Sequence, residues 1–187
     1  MSQSLRIDIT LNNIAMKTKT ELELTHVEHT FDPIYDENSK ILILGTLPSV
    51  KSREKNFYYG HPRNRFWQLI AVLTGSSVPT TIEEKKRMLL DNGIAIWDVV
   101  QSCDIHASSD SSITNVIPAD IKKVLSNSNI EKIYANGGAA YDLYNKHCLE
   151  KTGVQIIKLP STSPANAAYS LDKLKKHWSV ILEQIRS

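Results

Sequence analysis

The chain has 187 residues, of which 41% are hydrophobic and 22% charged, and its formal net charge is +2. That length suits one globular domain of about 100–200 residues, with enough chain to bury a core unaided by disulfides or metal. It holds no run of about 20 apolar residues for a transmembrane helix and no apolar N-terminal stretch for a signal peptide, and its cysteines, Cys103 and Cys148, make neither a disulfide framework nor a zinc spacing.

The expected compartment is therefore the reducing cytoplasm. The small net charge conceals an uneven distribution. Residues 1–39 carry three basic side chains against seven acidic ones, whereas residues 40–65 carry six basic ones against Glu54 alone. Such asymmetry fits either a solvated loop or one face that meets an anionic partner.

In chain order, Ile41-Leu42-Ile43-Leu44-Gly45 is a continuous apolar run stopped by glycine, the pattern of a strand buried on both faces. A loop with interleaved aromatic and basic residues follows, to residue 63. Asn64 then reads as the N-cap of a helix carrying Phe66, Trp67, Leu69, Ile70 and Leu73, with Gly75 near its end. Thr81-Ile82-Glu83-Glu84 is a capping-box pattern for a helix through Leu90. Ile94–Trp97 is the second strand, Gln101 to about Asn115 reads as a polar loop, and Pro118 suits the first position of a helix through Leu125. A third strand at Ile130–Tyr134 ends in Asn136-Gly137-Gly138. A helix bearing Tyr141, Leu143, Tyr144 and His147 leads to a fourth strand, Val154–Leu159. Ser170 caps a last helix with Leu171, Leu174, Trp178, Ile181, Leu182 and Ile185 at helical spacing.

Strands alternating with helices imply right-handed crossovers, a mainly parallel sheet and helices on both faces. The expectation is an α/β three-layer α/β/α sandwich around a central four-stranded parallel sheet, spanning residues 31–187. Residues 1–30 stand outside this pattern as an extension, loosely ordered or holding an edge strand at Arg6–Leu11. Ligands of such sheets bind beyond the carboxyl ends of the strands. Those ends are Gly45–Asn64, Asp98–Ser112, Asn136–Gly138 and Pro160–Asn166, and they hold nearly all the unusual polar residues.

Several chemistries lack their signatures. No Gly-x-Gly-x-x-Gly follows the first strand, and there is no Walker-type phosphate loop, nucleophile elbow or metal-ligand spacing. A loop-built site with no cofactor and no metal is expected. Its richest segment is Phe57–Trp67, where tyrosines beside Arg, Lys and Gly suit a flat anionic ligand. A base can stack on a Tyr face while Arg and backbone amides meet phosphate.

The motifs Gly45-Thr46-Leu47-Pro48-Ser49, Tyr59-Gly60-His61-Pro62-Arg63-Asn64-Arg65-Phe66-Trp67, Asn136-Gly137 and Pro160-Ser161-Thr162-Ser163 together resemble the uracil-DNA glycosylase superfamily. Leu47-Pro48-Ser49, Ile96–Val100 and Asp110–Ile113 resemble its hypoxanthine-DNA (deoxyinosine) glycosylase branch. The resemblance implies a monofunctional glycosylase that flips a deaminated base, hypoxanthine first, out of double-stranded DNA and hydrolyses its N-glycosidic bond. It implies neither a cofactor nor a membrane, and a monomer is expected. The alternatives are a uracil or mismatch-specific glycosylase, a catalytically silent domain that binds lesion DNA, and a nucleotide-binding α/β protein unrelated to repair.

The resemblance also suggests residue roles. Asn64 stands where the branch keeps its catalytic amide, which can orient water or hydrogen-bond the departing base; otherwise Asn64 only caps its helix. Tyr59 matches an aromatic that stacks on the flipped base. Gly45, Thr46 and Leu47 would bring backbone N–H groups to the base. Asp98 would accept from a base N–H, or cap the next turn, and Asn136 would read the base, or simply serve its turn. Pro48, Ser49, His61, Arg63, Ser161, Thr162, Ser163 and Pro164 are the expected DNA contacts. Two positions depart from the wider pattern. Leu47 stands where many members place an Asp or Asn, and Leu159 where several branches place a His.

Overall fold

The computed structural model describes residues 24–106 and 112–186. In chain order its elements are β1 (Leu24–Glu28), β2 (Ile41–Gly45), α1 (Val50–Glu54), α2 (Phe66–Thr74) and α3 (Ile82–Leu90). Then come β3 (Ile94–Asp98), β4 (Val100–His106), β5 (Thr114–Pro118), α4 (Ile121–Ser126) and β6 (Lys132–Asn136). The chain closes with α5 (Gly138–His147), α6 (Leu149–Thr152), β7 (Ile156–Leu159), α7 (Leu171–Trp178) and α8 (Ile181–Ile185).

Strands β3-β2-β6-β7 form a four-stranded parallel sheet in that order. Ile41, Leu42, Ile43 and Leu44 are fully buried because β2 pairs on both sides and is covered on both faces. The continuous apolar run needs that environment. Helices α2 and α7 pack together, with α8 on β2 and α3 on β3, while α5 packs on β6 and β7 and α6 joins α4 and α5. Right-handed crossovers that run in opposite directions along the sheet, from β2 to β3 and then from β3 back past β2 to β6, put the two groups on opposite faces, so the chain is the expected α/β/α sandwich. Thr81 and Glu84 make the reciprocal capping box of α3, and the Ser170 hydroxyl accepts the Lys173 N–H at the start of α7.

Other sequence expectations are corrected. Residues 101–115 are not simply a polar loop. Strands β4 and β5 pair antiparallel, and β4 also pairs with β1 from Leu24↔His106 to Glu28↔Ser102. This three-stranded sheet has its own small core of Val27, Val100, Cys103 and Ile105, on which Leu47, Ile113, Val116 and Leu143 pack. Pro118 ends edge strand β5 rather than opening a helix. An edge position tolerates its missing N–H, and Asp120 caps α4 instead. The single C-terminal helix is interrupted after Trp178, where the Ser179 hydroxyl donates to the Lys176 carbonyl. Part of the N-terminal extension is therefore strand β1, whereas Arg6–Leu11, Asp110 and Ser111 lie outside the described residues. Among the described residues no helix is long and apolar enough to cross a membrane.

Candidate active site

The carboxyl ends of β2, β3 and β6 open into a cleft of about 510 Å³, closed by the loops after β2 and β7. Gly45 sits at its floor, in register with Asp98. The N–H groups of Val99 and Val100 donate to the carbonyls of Gly45 (2.9 Å) and Thr46 (3.1 Å), which sets the course of the loop through Thr46, Leu47, Pro48 and Ser49 along the cleft.

Asp98 is 4% exposed. Its Oδ2 lies 2.9 Å from Nε2 of His29, whose side chain is buried as well. Its Oδ1 lies against the Gly45 α-carbon, since a Cβ placed there would stand 2.1 Å from it. A side chain at position 45 would occupy the place of the carboxylate oxygen, so only glycine fits. The sequence alternative of Asp98 as a turn cap finds no such bond; its partner is the His29 ring.

Three polar side chains on the opposite wall are joined in a directed chain. The Thr162 N–H donates to Asn136 Oδ1 (2.9 Å), and the Phe66 N–H donates to Asn64 Oδ1 (3.0 Å). A backbone N–H can only donate, so these two bonds decide which amide atoms are oxygens. Asn136 Nδ2 therefore donates to Thr162 Oγ1 (2.9 Å), and that hydroxyl donates onward to Asn64 Oδ1 (2.9 Å). Both lone pairs of Asn64 Oδ1 are thus used by the protein. Its Nδ2 amino group makes no hydrogen bond to another described residue, and Asn64 lines the cleft half-exposed. The residue is not the helix N-cap, which is Arg65, yet it satisfies one N–H of the first turn. What it presents to a ligand is a donor.

Tyr59 extends an aromatic column. It stacks on Phe66 with ring centroids 3.9 Å apart, and Phe66 meets Trp67 and Trp178 edge-on. Its backbone is left-handed (φ 51°), a conformation that non-glycine residues adopt at a cost and that clusters at functional sites. Its hydroxyl is buried and faces the Asn136 side-chain amide without forming a full hydrogen bond. Burial, then the Asp98 charge, pushes its pKa well above the usual tyrosine value.

The four strand-end motifs thus meet in one cleft. The family model described as the Uracil DNA glycosylase superfamily matches residues 33–186. The chain belongs to the uracil-DNA glycosylase superfamily. A protein named hypoxanthine DNA glycosylase from Methanosarcina acetivorans is 33% identical over 159 residues, covering 83% of this chain and 98% of the relative. A protein of the same name from Methanosarcina barkeri is 32% identical, covering 80% and 94%. A solution NMR structure from Methanosarcina acetivorans, provisionally named a uracil DNA glycosylase, superposes with a TM-score of 0.72 at 32% identity and covers 84% of this chain and 97% of its own.

Within this glycosylase fold the remaining expected residues divide. Pro48, Ser49, Ser161, Thr162 and Ser163 line the cleft, but His61, Arg63 and Pro164 stand outside its wall. Arg63 is exposed near the exposed Lys51 and Lys55 in sequence, and His61 Nδ1 accepts the Arg63 N–H. Ser49 caps α1 through its hydroxyl, and Arg53 donates to the Pro48 carbonyl (2.8 Å). Leu47 packs on the Ile105 core, so the position where many members carry an acid or amide here supports the antiparallel sheet. Leu159 is buried in the main core. Among the described residues, no acidic side chain apart from Asp98 lines the cleft, and no lysine does.

Arg65 and His29 are functional candidates that sequence reasoning left without a role. Arg65 stands beside Asn64 in the second motif, and its guanidinium donates to the carbonyls of Thr162, Ser163, Asn166 and Tyr169. Its own N–H donates to the Thr162 carbonyl as well (3.2 Å). Arg65 therefore fastens the Ser161–Tyr169 loop to the start of α2, and with it the Thr162 hydroxyl. Arg65→Lys keeps the charge but not the planar fork. It is expected to lower stability by about 1–3 kcal/mol in urea unfolding and to open the 161–169 loop to limited proteolysis. A loop as resistant as wild type would contradict this role.

Proposed function

We propose that this chain is a monofunctional DNA glycosylase that takes a deaminated base, hypoxanthine from deoxyinosine first, out of duplex DNA and hydrolyses its N-glycosidic bond. The observation that carries this reading is the opposition of a buried acceptor, Asp98 Oδ1, to a free amide donor, Asn64 Nδ2, in one cleft beside Tyr59. The names of the two Methanosarcina relatives support it.

Hypoxanthine presents an N1–H donor next to the O6 acceptor. A carboxylate oxygen accepts from N1–H, whereas the bare N1 lone pair of adenine would face it unfavourably. As the C1′–N9 bond breaks, its electron pair moves onto the purine, and the Asn64 amide donates to the nitrogen or oxygen where that charge collects. Water then adds to the cationic sugar carbon and gives up its proton to solvent, leaving an abasic site. A site whose only lining carboxylate among the described residues is engaged at the base edge suits such a dissociative course. Uracil also offers an N–H beside a carbonyl, so Asp98 alone does not separate the two bases. With leucine at position 159, no histidine stands there to assist a departing pyrimidine anion.

Flipping costs a few kcal/mol of unstacking and unpairing. The Tyr59 ring face repays part of it, at about 1–3 kcal/mol per stacked base. Exposed Lys51, Lys55 and Arg63, near the mouth in sequence, suit the phosphate backbone. Among the described residues no lysine lines the cleft, so no Schiff base is expected. An inosine duplex incubated with the protein should break only after alkali. Strand scission before alkali would contradict the monofunctional mechanism, and no break after alkali would contradict excision.

A further inference from the structure

The family model begins its match at residue 33, yet one residue ahead of that point reaches the base site. His29 follows β1, and its backbone is tied to Gln101 at both ends. Its N–H donates to the Gln101 carbonyl (2.8 Å), and the Gln101 side-chain amide donates to the His29 carbonyl (3.2 Å). The ring lies 4.4 Å from Phe31 and 5.8 Å from Tyr58 between centroids. The His29 side chain is 1% exposed, with Nε2 on Asp98 Oδ2 and Nδ1 buried without a partner. An apolar ring would fill the same space without leaving a ring nitrogen unpaired, so packing alone does not account for a histidine here.

The bond restrains the carboxylate. With Oδ2 engaged, rotation about Cβ–Cγ is stopped and Oδ1 stays against Gly45, open to the cleft. We infer that His29 is a positioning residue that holds Asp98 as the acceptor for a ring N–H of the extruded base, and that the segment ahead of the family core thereby completes the base-reading site. This rests on the reading of the cleft as the glycosylase site.

The test combines single-turnover excision from an inosine duplex with imidazole ¹H–¹⁵N spectra of the full chain in the presence of free hypoxanthine. His29→Ala should slow excision by about 10- to 100-fold. His29→Gln, whose amide N–H can stand where Nε2 does, should recover most of the rate, with urea unfolding recorded for both. Adding His29→Ala to Asp98→Asn should bring little further loss, because the histidine acts through that carboxylate. Hypoxanthine should shift the His29 Nε2 resonance, and 1-methylhypoxanthine, which lacks N1–H, should not. If wild type releases no base while the hypoxanthine shift appears and vanishes in Asp98→Asn, the activity fails and the positioning role stands. Wild-type rates in His29→Ala, equal losses in both backgrounds, or a His29 signal indifferent to hypoxanthine would overturn the inference.

Discussion

Asn64→Ala is expected to reduce single-turnover release of hypoxanthine by about 100- to 1,000-fold, the range for removal of one preorganised donor from a developing negative charge. The fold should survive. The substitution removes the bonds to Phe66 N–H and Thr162 Oγ1, at about 1–2 kcal/mol, against a total stability of roughly 5–15 kcal/mol. Asn64→Asp is the sharper variant. A carboxylate still accepts from Phe66 and Thr162, but its second oxygen replaces the free amino group with an acceptor. If Asn64 served to orient or deprotonate water, Asp would preserve or raise the rate. The donor role predicts a loss at least as large as that of alanine; wild-type rates in Asn64→Ala would remove Asn64 from the chemistry, and wild-type or faster rates in Asn64→Asp would replace the donor role with one on water.

Gly45→Ala is the second large effect. Asp98 Oδ1 stands 2.1 Å from the new methyl position, and it is not the loose end of a mobile side chain, because His29 holds the other oxygen. Relieving the overlap must move either β2 or the Asp98–His29 pair. Overpacking of this kind costs about 1–3 kcal/mol, and displacement of the acceptor should lower excision by roughly 100-fold, since a misplacement of about 1 Å in an active site can be worth that much. The cost should shrink when Asp98→Ala is added. The carboxylate then no longer stands in the way, and the next atom recorded beside that position, the Tyr59 hydroxyl oxygen, lies at an ordinary 3.5 Å. Urea unfolding and inosine excision on the single and double variants check this, and equal destabilisation in both backgrounds would contradict it.

What the sequence made legible followed from local pattern. Ile41–Leu44 could hardly be anything but an inner strand, and the strand ends near Gly45, Asp98, Asn136 and Leu159 followed from glycine and polar punctuation. Thr81 and Ser170 marked their helices because a cap is a bond between near neighbours in the chain. The errors came where tertiary pairing overruled pattern. Val100–His106 mixes Gln, Ser and Asp with Val, Cys and Ile, and becomes a strand only because β1 and β5 flank it. Pro118 obeyed the edge-strand rule rather than the helix-start rule.

The same division holds at the site. Asn64, Tyr59, Asp98 and Thr162 were legible through motifs, but the direction of the Asn136–Thr162–Asn64 chain was not, because it depends on two backbone N–H groups from different segments. Arg65 finds its carbonyls about 100 residues downstream, and His29 meets Asp98 69 residues away. No local spacing announces either pair. His29 also gives part of the acidic N-terminal region a place in the molecule, since β1 leads directly to this histidine at the Asp98 carboxylate.

In the proposed reaction the acceptor at Asp98 and the donor at Asn64 together release hypoxanthine from DNA. Single-turnover rates on one set of duplexes carrying inosine, uracil, xanthine or mismatched thymine, each developed with alkali, test it most directly. Hypoxanthine should be released fastest, and Asn64→Asp should abolish its release. Release of uracil at an equal or greater rate than hypoxanthine, or inosine strands that stay intact after alkali, would contradict it.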